Sequence, residues 1–548
     1  MAKPAKHGNK WRIRWLDERD HRRSAIFDEY PHRPDRGIVR AMTTTNGNAR
    51  GTHSSPPSDA QTAGDRVVTS ELCVVGAGIA ALNAIFAASR HLSSRDRIVL
   101  VDRAHRAGGM WVEAYDYVRL HQPHRMFTVG NLQWSLGKEP SYLASRSEVL
   151  GHLESCLATL RNRVTIEDHY GYSYDSHEER ADDVLVRFSA VHAGSPGLVV
   201  KTKKLVKAFG SGIQMLDPLP LSSSSVRSVS PSGDLLGDEM RASSAPIYVA
   251  GGGKTGMDTA HALVTRFPGR KVHLLIGKGT LFTSRDLTFP GGLGRWFGGT
   301  TTLEAFIDLA ARFDGTNEEE VLRHFRANYT VSLDNQCRGY MFGVLSTEEN
   351  AVIKKGVAEI LRDYLVDVVD RDGQPTMILR SGESRPIEPG SVIVNCTGHI
   401  GRRHLPYEPF VSTGGKVLSI QPTSIVHLLS SLGAYFNTHL LYLNQLSKLP
   451  LYEVDFPEMN SKAKDALFAV MMTHLLYNAA LILEAVPTKV RDECGLDLER
   501  WYPLPRRLVA VISLVRYLKR HPDHHRRTLD RVRDRFGVRC GTLAHFAA

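Results

Sequence analysis

Two clusters of small residues carry the first chemistry legible in this chain. Gly76, Gly78 and Ala81 follow the pattern GxGxxA, and Gly251, Gly253 and Gly256 follow GxGxxG. In such patterns the first glycine lets the chain turn tightly, the second lets backbone approach a diphosphate, and the third small residue keeps a helix close to its sheet. The diphosphate then lies at the amino end of the helix, where open N–H groups and the helix dipole favour negative charge. Asp102 stands 26 residues after Gly76 at the end of RIVLVD, placed to accept hydrogen bonds from a ribose. The equivalent place after the second cluster holds GKG. An acid there would bind the free 2′-OH of NAD, whereas a cation favours a 2′-phosphate. Lys278 therefore points to NADPH, with Arg285 as a helper and NADH left open as the other donor.

These residues need strands and helices to hold them. Residues 72–75 and 98–101 are short apolar runs of the buried parallel-strand type, and 79–92 between them is an apolar helix. The pattern repeats as a strand at 247–250, a helix at 257–267 and a strand at 272–276. Two such units in one chain predict an α/β protein that holds two dinucleotides, or the two halves of a redox machine.

The 548 residues are 42% hydrophobic and 23% charged, enough for two or three domains and unlike a disordered chain. The net charge of +11 is concentrated at the ends. Residues 1–41 carry 11 basic and 6 acidic side chains, and 506–539 carry 11 and 3. The body between is slightly acidic, which speaks against a surface that grips nucleic acid. Cys73, Cys156, Cys337, Cys396, Cys494 and Cys540 are scattered without a CxxC pair, so no disulfide framework, metal site or dithiol centre is expected. The first residues are basic and polar with no apolar run, so no signal peptide is read and a cytoplasmic compartment is expected.

After the first unit come GGMW at 108–111 and YDYVRLHQPHRMF at 115–127. Together with both glycine patterns, these segments resemble the FAD- and NAD(P)H-dependent class B flavoprotein monooxygenases, the flavin-containing, Baeyer–Villiger and N-hydroxylating group. The resemblance covers roughly residues 70–455. It implies a two-dinucleotide-binding-domain, Rossmann-like flavoprotein with FAD in the first unit. Gly109 and Trp111 would then lie along the FAD, and His121 and Gln122 would be the polar groups nearest the flavin, with Arg119, Asn131 and Thr397 behind them. His121 falls where the flavin-containing branch commonly has Asn. Asp258 matches the acid of the second motif, with Thr255 in its Ser position, as an anchor near the nicotinamide entrance. The segment VIVNCTGH at 392–399 resembles the return to the FAD domain, with Thr397 and Gly398 near the flavin or the hinge.

The implied activity is hydride transfer from NADPH to FAD, then oxygenation of a small organic substrate by a C4a-(hydro)peroxyflavin formed with molecular oxygen. The Baeyer–Villiger fingerprint FxGxxxHxxxW is missing between the FAD motif and the second unit, so generic monooxygenation is the firmer expectation. The alternative is an NAD(P)H-dependent flavin oxidoreductase or dehydrogenase without oxygen transfer.

The domain reading is a discontinuous FAD domain at 67–215 and 391–490, enclosing an NAD(P)H domain at 216–390 with a helical insertion at 280–350. A disordered basic leader and linker is read at 1–66 and a helical basic extension at 491–548, whose helix at 508–519 and Arg-rich segment at 526–539 read most simply as a solvated tail, with docking on the body or contact with an anionic surface as the alternatives. Within the leader, alternating Trp11, Ile13 and Trp15 suggest a short strand, with a second near Ile26 and Phe27, resembling the first strands of phage-integrase arm-binding domains. Met42 looks like a more ordinary start. The uncharged run 466–483 nears bilayer-crossing length, but His474 and Asn478 inside it favour a buried helix or an oligomer contact, which leaves a homodimer open.

Overall fold

The computed structural model describes residues 65–210, 217–398, 405–521 and 523–543, and the backbone of 4–7, 10–16 and 22–27. It divides into two compact units, Met1–Ala63 and Gly64–Ala548. In the first, strands Pro4–His7, Lys10–Leu16 and Arg22–Phe27 form an antiparallel sheet in which Ile13 faces Ala25. The leader is therefore not wholly disordered: the two-residue alternation of Trp11, Ile13 and Trp15 is that of a strand. The linker at 28–64 lies outside the described residues.

The second unit holds both glycine clusters. Its larger sheet runs in the order Thr165–Tyr170, Arg97–Asp102, Arg66–Val75 and Leu198–Ala208, all parallel. Val184–Ala190 and Tyr172–Glu179 continue it antiparallel. Val417–Ile420, far along the chain, joins it by pairing with residues 205–208. Leu72, Val74, Ile98 and Leu100 pack on one face against the helix Ile79–Ala88. Cys73, Val75, Val99 and Val101 pack on the other against the antiparallel strands. Burial on both faces explains why these strands read as unbroken apolar runs.

A second, five-stranded parallel sheet has the order Arg227–Val229, Val392–Asn395, Ile247–Ala250, Val272–Leu275 and Glu359–Leu361. Val392–Asn395 lies inside this sheet, so the return to the first sheet begins after Asn395 and not at 391. The insertion is built on strands Thr280–Ser284, Thr330–Val331 and Gly339–Leu345 with helices Thr302–Arg312, Glu318–Tyr329 and Thr347–Gly356.

Among the described residues one helix, Leu467–Ala485, is long and apolar enough to cross a membrane, and it is mostly buried within the protein. Its polar groups are used internally: Asn478 Nδ2 donates to Val426 O at 2.7 Å, and His474 Nε2 lies 2.8 Å from Tyr452 O. The carboxy-terminal segment is not a solvated tail. Leu529 and Val532 enter the core, Arg535 grips Glu318 with two bonds of 2.8 Å, and Cys540–Thr542 pairs with Tyr452–Val454.

Candidate cofactor and active site

At the first glycine turn, Gly76 has φ +98°, and a Cβ there would meet Ala208 O at 2.7 Å. Gly78 starts the helix without any capping side chain, although the helices Arg146–Arg161, Thr302–Arg312 and Thr347–Gly356 all start with capping boxes. Its first-turn N–H groups are thus left for an anion. Gly109 lies against this turn: it has φ +57°, and a Cβ on it would come within 2.7 Å of Gly78 Cα. Ala81 is fully buried and keeps the helix on its sheet. Trp111 is buried beside Phe127, and its carbonyl accepts from Arg146 Nε at 2.9 Å, which pins the 109–112 turn. Asp102 accepts the Ala77 N–H at 2.5 Å and the Ala104 N–H at 2.7 Å. Burial raises its carboxyl despite those bonds. The acid thus braces the glycine turn from the end of its strand.

The second turn repeats this construction more tightly. A Cβ on Gly251 would stand 2.4 Å from Cys396 O, and one on Gly256 would stand 1.9 Å from Gly251 O. A Cβ on Gly253 would meet nothing within 4 Å, and the helix Lys254–Arg266 that it starts has no capping side chain. Thr255 lies in that first turn. Thr397 donates to Asn395 Oδ1 at 2.7 Å beside the same turn, and Gly398 after it is exposed.

The loop after the first unit is fastened to the second at three points. Tyr115 OH donates to Asp258 Oδ2 at 2.8 Å, Tyr117 OH pairs with Thr259 Oγ1 at 2.9 Å, and Arg285 Nε donates to His121 O at 2.8 Å. Lys254 Nζ binds the other oxygen of Asp258, and Arg285 Nη2 reaches Glu349 Oε2 at 2.8 Å. His121 therefore sits among two cations and two carboxylates. Burial and Lys254 push its imidazole down to about 4, with Arg285 adding to the effect, so it is neutral at pH 7. Burial and the Asp258 carboxylate hold the Tyr115 phenol well above its ordinary value, so it remains a donor. Gln122 is half-buried, and its amide makes no hydrogen bond among the described residues.

Two expectations need correction here. Arg285 does not serve the cation site at Lys278; it is committed to the His121 carbonyl and Glu349. Arg119 is exposed, and its guanidinium binds Leu143 O at 2.9 Å and Tyr142 OH at 3.2 Å, so it bolts the loop's outer edge rather than facing a reaction centre. Asn131 is half-buried next to Gly130, whose N–H donates to Asn83 Oδ1 at 2.9 Å from the first helix.

Lys278 is exposed at the rim of a cavity of about 570 Å³ that it shares with Gly277, Arg326, Gln336, Arg338, Arg362 and Tyr364. Arg362 binds Asp334 and Arg338 binds Glu319, whereas the Lys278 amine has no ion pair among the described residues. Gly277 has φ +56°, and a Cβ on it would strike the Tyr364 ring at 2.3 Å.

Lys254, Glu349, Arg326, Arg338 and Arg362 are absent from the sequence reading. Lys254 had a local signal, four residues before Asp258 on one helix face. The arginines had none, because they come from separate elements of the insertion and the second sheet.

No family model matches the chain. Uncharacterized proteins of Mycobacterium tuberculosis and Mycobacterium bovis are 26% identical over 351 residues, 61% of this chain and 60% of theirs. The match thus spans about 60% of the length of these curated relatives. Among solved structures, the chain is similar to an ornithine N-hydroxylase of Kutzneria sp. 744, with 12% identity over 70% of this chain and 99% of that one, at a TM-score of 0.45. It is similar to a cyclohexanone monooxygenase, with 13% identity over 76% and 98% at a TM-score of 0.46. It is also similar to a bacillithiol disulfide reductase of Staphylococcus aureus, with 11% identity over 69% and 99% at a TM-score of 0.42. These are likenesses of fold, and the solved structures carrying them include class B flavoprotein monooxygenases.

Proposed function

We propose that this chain is an FAD-dependent, NADPH-using monooxygenase of a small organic substrate. The observation that carries the reading is the pair of uncapped, glycine-started helices joined by the Tyr115–Asp258 and His121–Arg285 bonds. FAD would sit on the first turn and NADPH on the second. The contact between Gly78 and Gly109 and the open space at Gly253 suit the close approach of a diphosphate to backbone. When bound, the two cofactors supply hydride transfer and the activation of molecular oxygen, and the protein supplies position and exclusion of water.

The residues of this chain have definite tasks in that reading. Asp102 braces the FAD turn, and Trp111 and Asn131 wall the site. His121 and Gln122 offer neutral hydrogen-bonding groups at the flavin, where a fixed charge would be costly. Thr397 and Gly398 close the site from the return strand. Lys254 holds Asp258 so that Tyr115 can tie the two halves together. Lys278 with Arg338 receives the 2′-phosphate.

The test is anaerobic mixing of the purified full chain with NADPH, then aerobic turnover with a panel of amines, sulfides and ketones in labelled oxygen. Bleaching of a bound flavin followed by substrate-dependent incorporation of one labelled oxygen atom supports the reading. Reduction with all electrons appearing as hydrogen peroxide for every substrate favours the reductase alternative, and a colourless protein overturns both.

Two substitutions probe the second turn. Removing both cations in Lys278→Ala/Arg338→Ala is expected to raise the KM for NADPH about a hundredfold and leave that for NADH unchanged, since a charged hydrogen bond contributes roughly 1.5–3 kcal/mol. Equal losses for both nucleotides would refute the assignment. Lys254→Met takes away a cation that disfavours protonation of His121, so the imidazole pKa should rise. An acid limb should then enter the pH–rate profile between about pH 5 and 7, where the parent is flat. A profile identical to the parent's would separate Lys254 from His121.

A further inference from the structure

The helix Leu504–Arg520 has two unlike faces. Ala510 and Leu514 are buried, Leu514 in a small cluster with Ala310 and Leu476. On the outer side Leu504, Leu508, Val511 and Val515 recur at helical spacing and are 60%, 53%, 48% and 45% exposed. The helix carries no acid, and its last two turns present Arg516, Lys519 and Arg520, exposed and without an ion pair among the described residues. Next to its first turn stands a second exposed apolar feature, the loop tip with Leu293, Trp296 and Phe297 at 76%, 51% and 87% exposure. Arg506 binds the Gly298 carbonyl, and Arg295 Nε donates to Trp501 O at 2.8 Å, so tip and helix are held together.

An apolar helical stripe flanked by cations, beside a tip of Trp and Phe, is the arrangement that lies in the plane of a bilayer interface. We propose that this face docks on an anionic lipid surface, with the stripe and the tip sunk among the acyl chains and Arg516, Lys519 and Arg520 at the phosphates. A second copy of the chain fits less well. A symmetric contact places like surfaces against each other, and these two helices would bring cations together with no carboxylate to answer them. Anionic headgroups neutralise the same cations. The inference stands independently of the redox reading.

The experiment is co-sedimentation of the full chain with vesicles of phosphatidylcholine alone and of phosphatidylcholine mixed with phosphatidylglycerol. The parent should bind the mixed vesicles and release them as salt is raised. Reversing three charges in Arg516→Glu/Lys519→Glu/Arg520→Glu should weaken binding at least about a hundredfold, given roughly 1 kcal/mol for each cation near the surface. Val511→Glu/Val515→Glu should weaken it comparably by charging the exposed apolar stripe. All five positions are exposed, so the melting temperature should be unchanged and loss of binding is not loss of fold. Equal binding to both vesicle types, or binding unmoved by either variant, would overturn the proposal. So would failure to bind vesicles together with a dimer, seen by light scattering, that Val511→Glu dissociates, because the occupant would then be a second copy.

Discussion

Gly109→Ala is expected to give a folded protein that purifies almost free of flavin. The residue has φ +57°, where an L side chain costs roughly 1–2 kcal/mol. Its Cβ would lie 2.7 Å from Gly78 Cα and 3.3 Å from Gly78 N. Both are backbone atoms at the start of the first helix, so no rotamer change relieves the clash and the two turns must part. Parting them moves the N–H groups proposed to hold the diphosphate. Loss of one such charged hydrogen bond together with the strain adds to about 4 kcal/mol, or roughly a thousandfold in flavin affinity. The flavin-to-protein absorbance ratio reads this directly. Gly171→Ala is the matched control, because Gly171 has φ +78° with nothing within 4 Å of the added Cβ. It bears the backbone cost without the clash and should keep its flavin. Stoichiometric flavin in Gly109→Ala would show that the first turn is not the diphosphate site.

The two glycine turns and their strands were legible because their signals are local. Both faces of the Leu72–Val75 and Ile98–Val101 runs are buried, so each run is apolar throughout, and the glycines are dictated by contacts a few residues away or across one strand pair. Arg227–Val229 was not legible. It forms only three pairs with Val392–Val394, lies in a serine-rich stretch, and becomes a strand because its neighbour already is one. Docking of the helix His524–Phe536 was an alternative that the sequence left open and ranked below a solvated tail. His525, Thr528, Leu529 and Val532 are its buried positions and recur at helical spacing, but the density of arginine masked that stripe.

In the candidate site the division falls between single residues and constellations. The placements of Asp102, as the last residue of its strand, and of Lys278, just beyond another, were legible because both strands end beside a glycine turn. Arg285 was misread because its helix starts after a strand of the insertion, whose orientation no local pattern records. Its guanidinium points back to His121 O and Glu349. The same tertiary event gathers Arg326, Arg338 and Arg362 around Lys278. Charge alone could not foresee this, since an arginine in a helix or loop is ordinarily a solvated one.

Acidification from pH 7 to pH 5 is expected to cost this protein a large part of its stability. Burial pushes His152, His474 and His525 down to about 4 and His439 down to about 3, and all four are almost wholly inaccessible. In the unfolded chain each titrates near 6.5. Between those values the unfolded state binds more protons than the folded one, so stability is complete above about pH 6.5 and falls as the pH drops toward 4. At pH 5 each histidine costs about 2 kcal/mol on this linkage. Protonation of His474 would also create a buried donor at Nδ1, where no partner stands. Glu499, raised to about 7, and Asp102, Glu453 and Asp455, raised by burial, take up protons in the folded state and oppose the trend. The histidines prevail, because His91, His124, His177 and His273 are lowered as well. The net loss is then several kcal/mol, comparable with the ~5–15 kcal/mol total of a typical domain. Melting temperatures followed by near-ultraviolet circular dichroism should fall by about 10 °C between pH 7 and pH 5. His525→Gln should flatten the curve, because the glutamine amide can still meet Tyr517 OH but has no proton to gain. A melting temperature constant down to pH 5 would mean that these imidazoles are solvated in the folded protein, and the packing of the helices that carry them would be wrong.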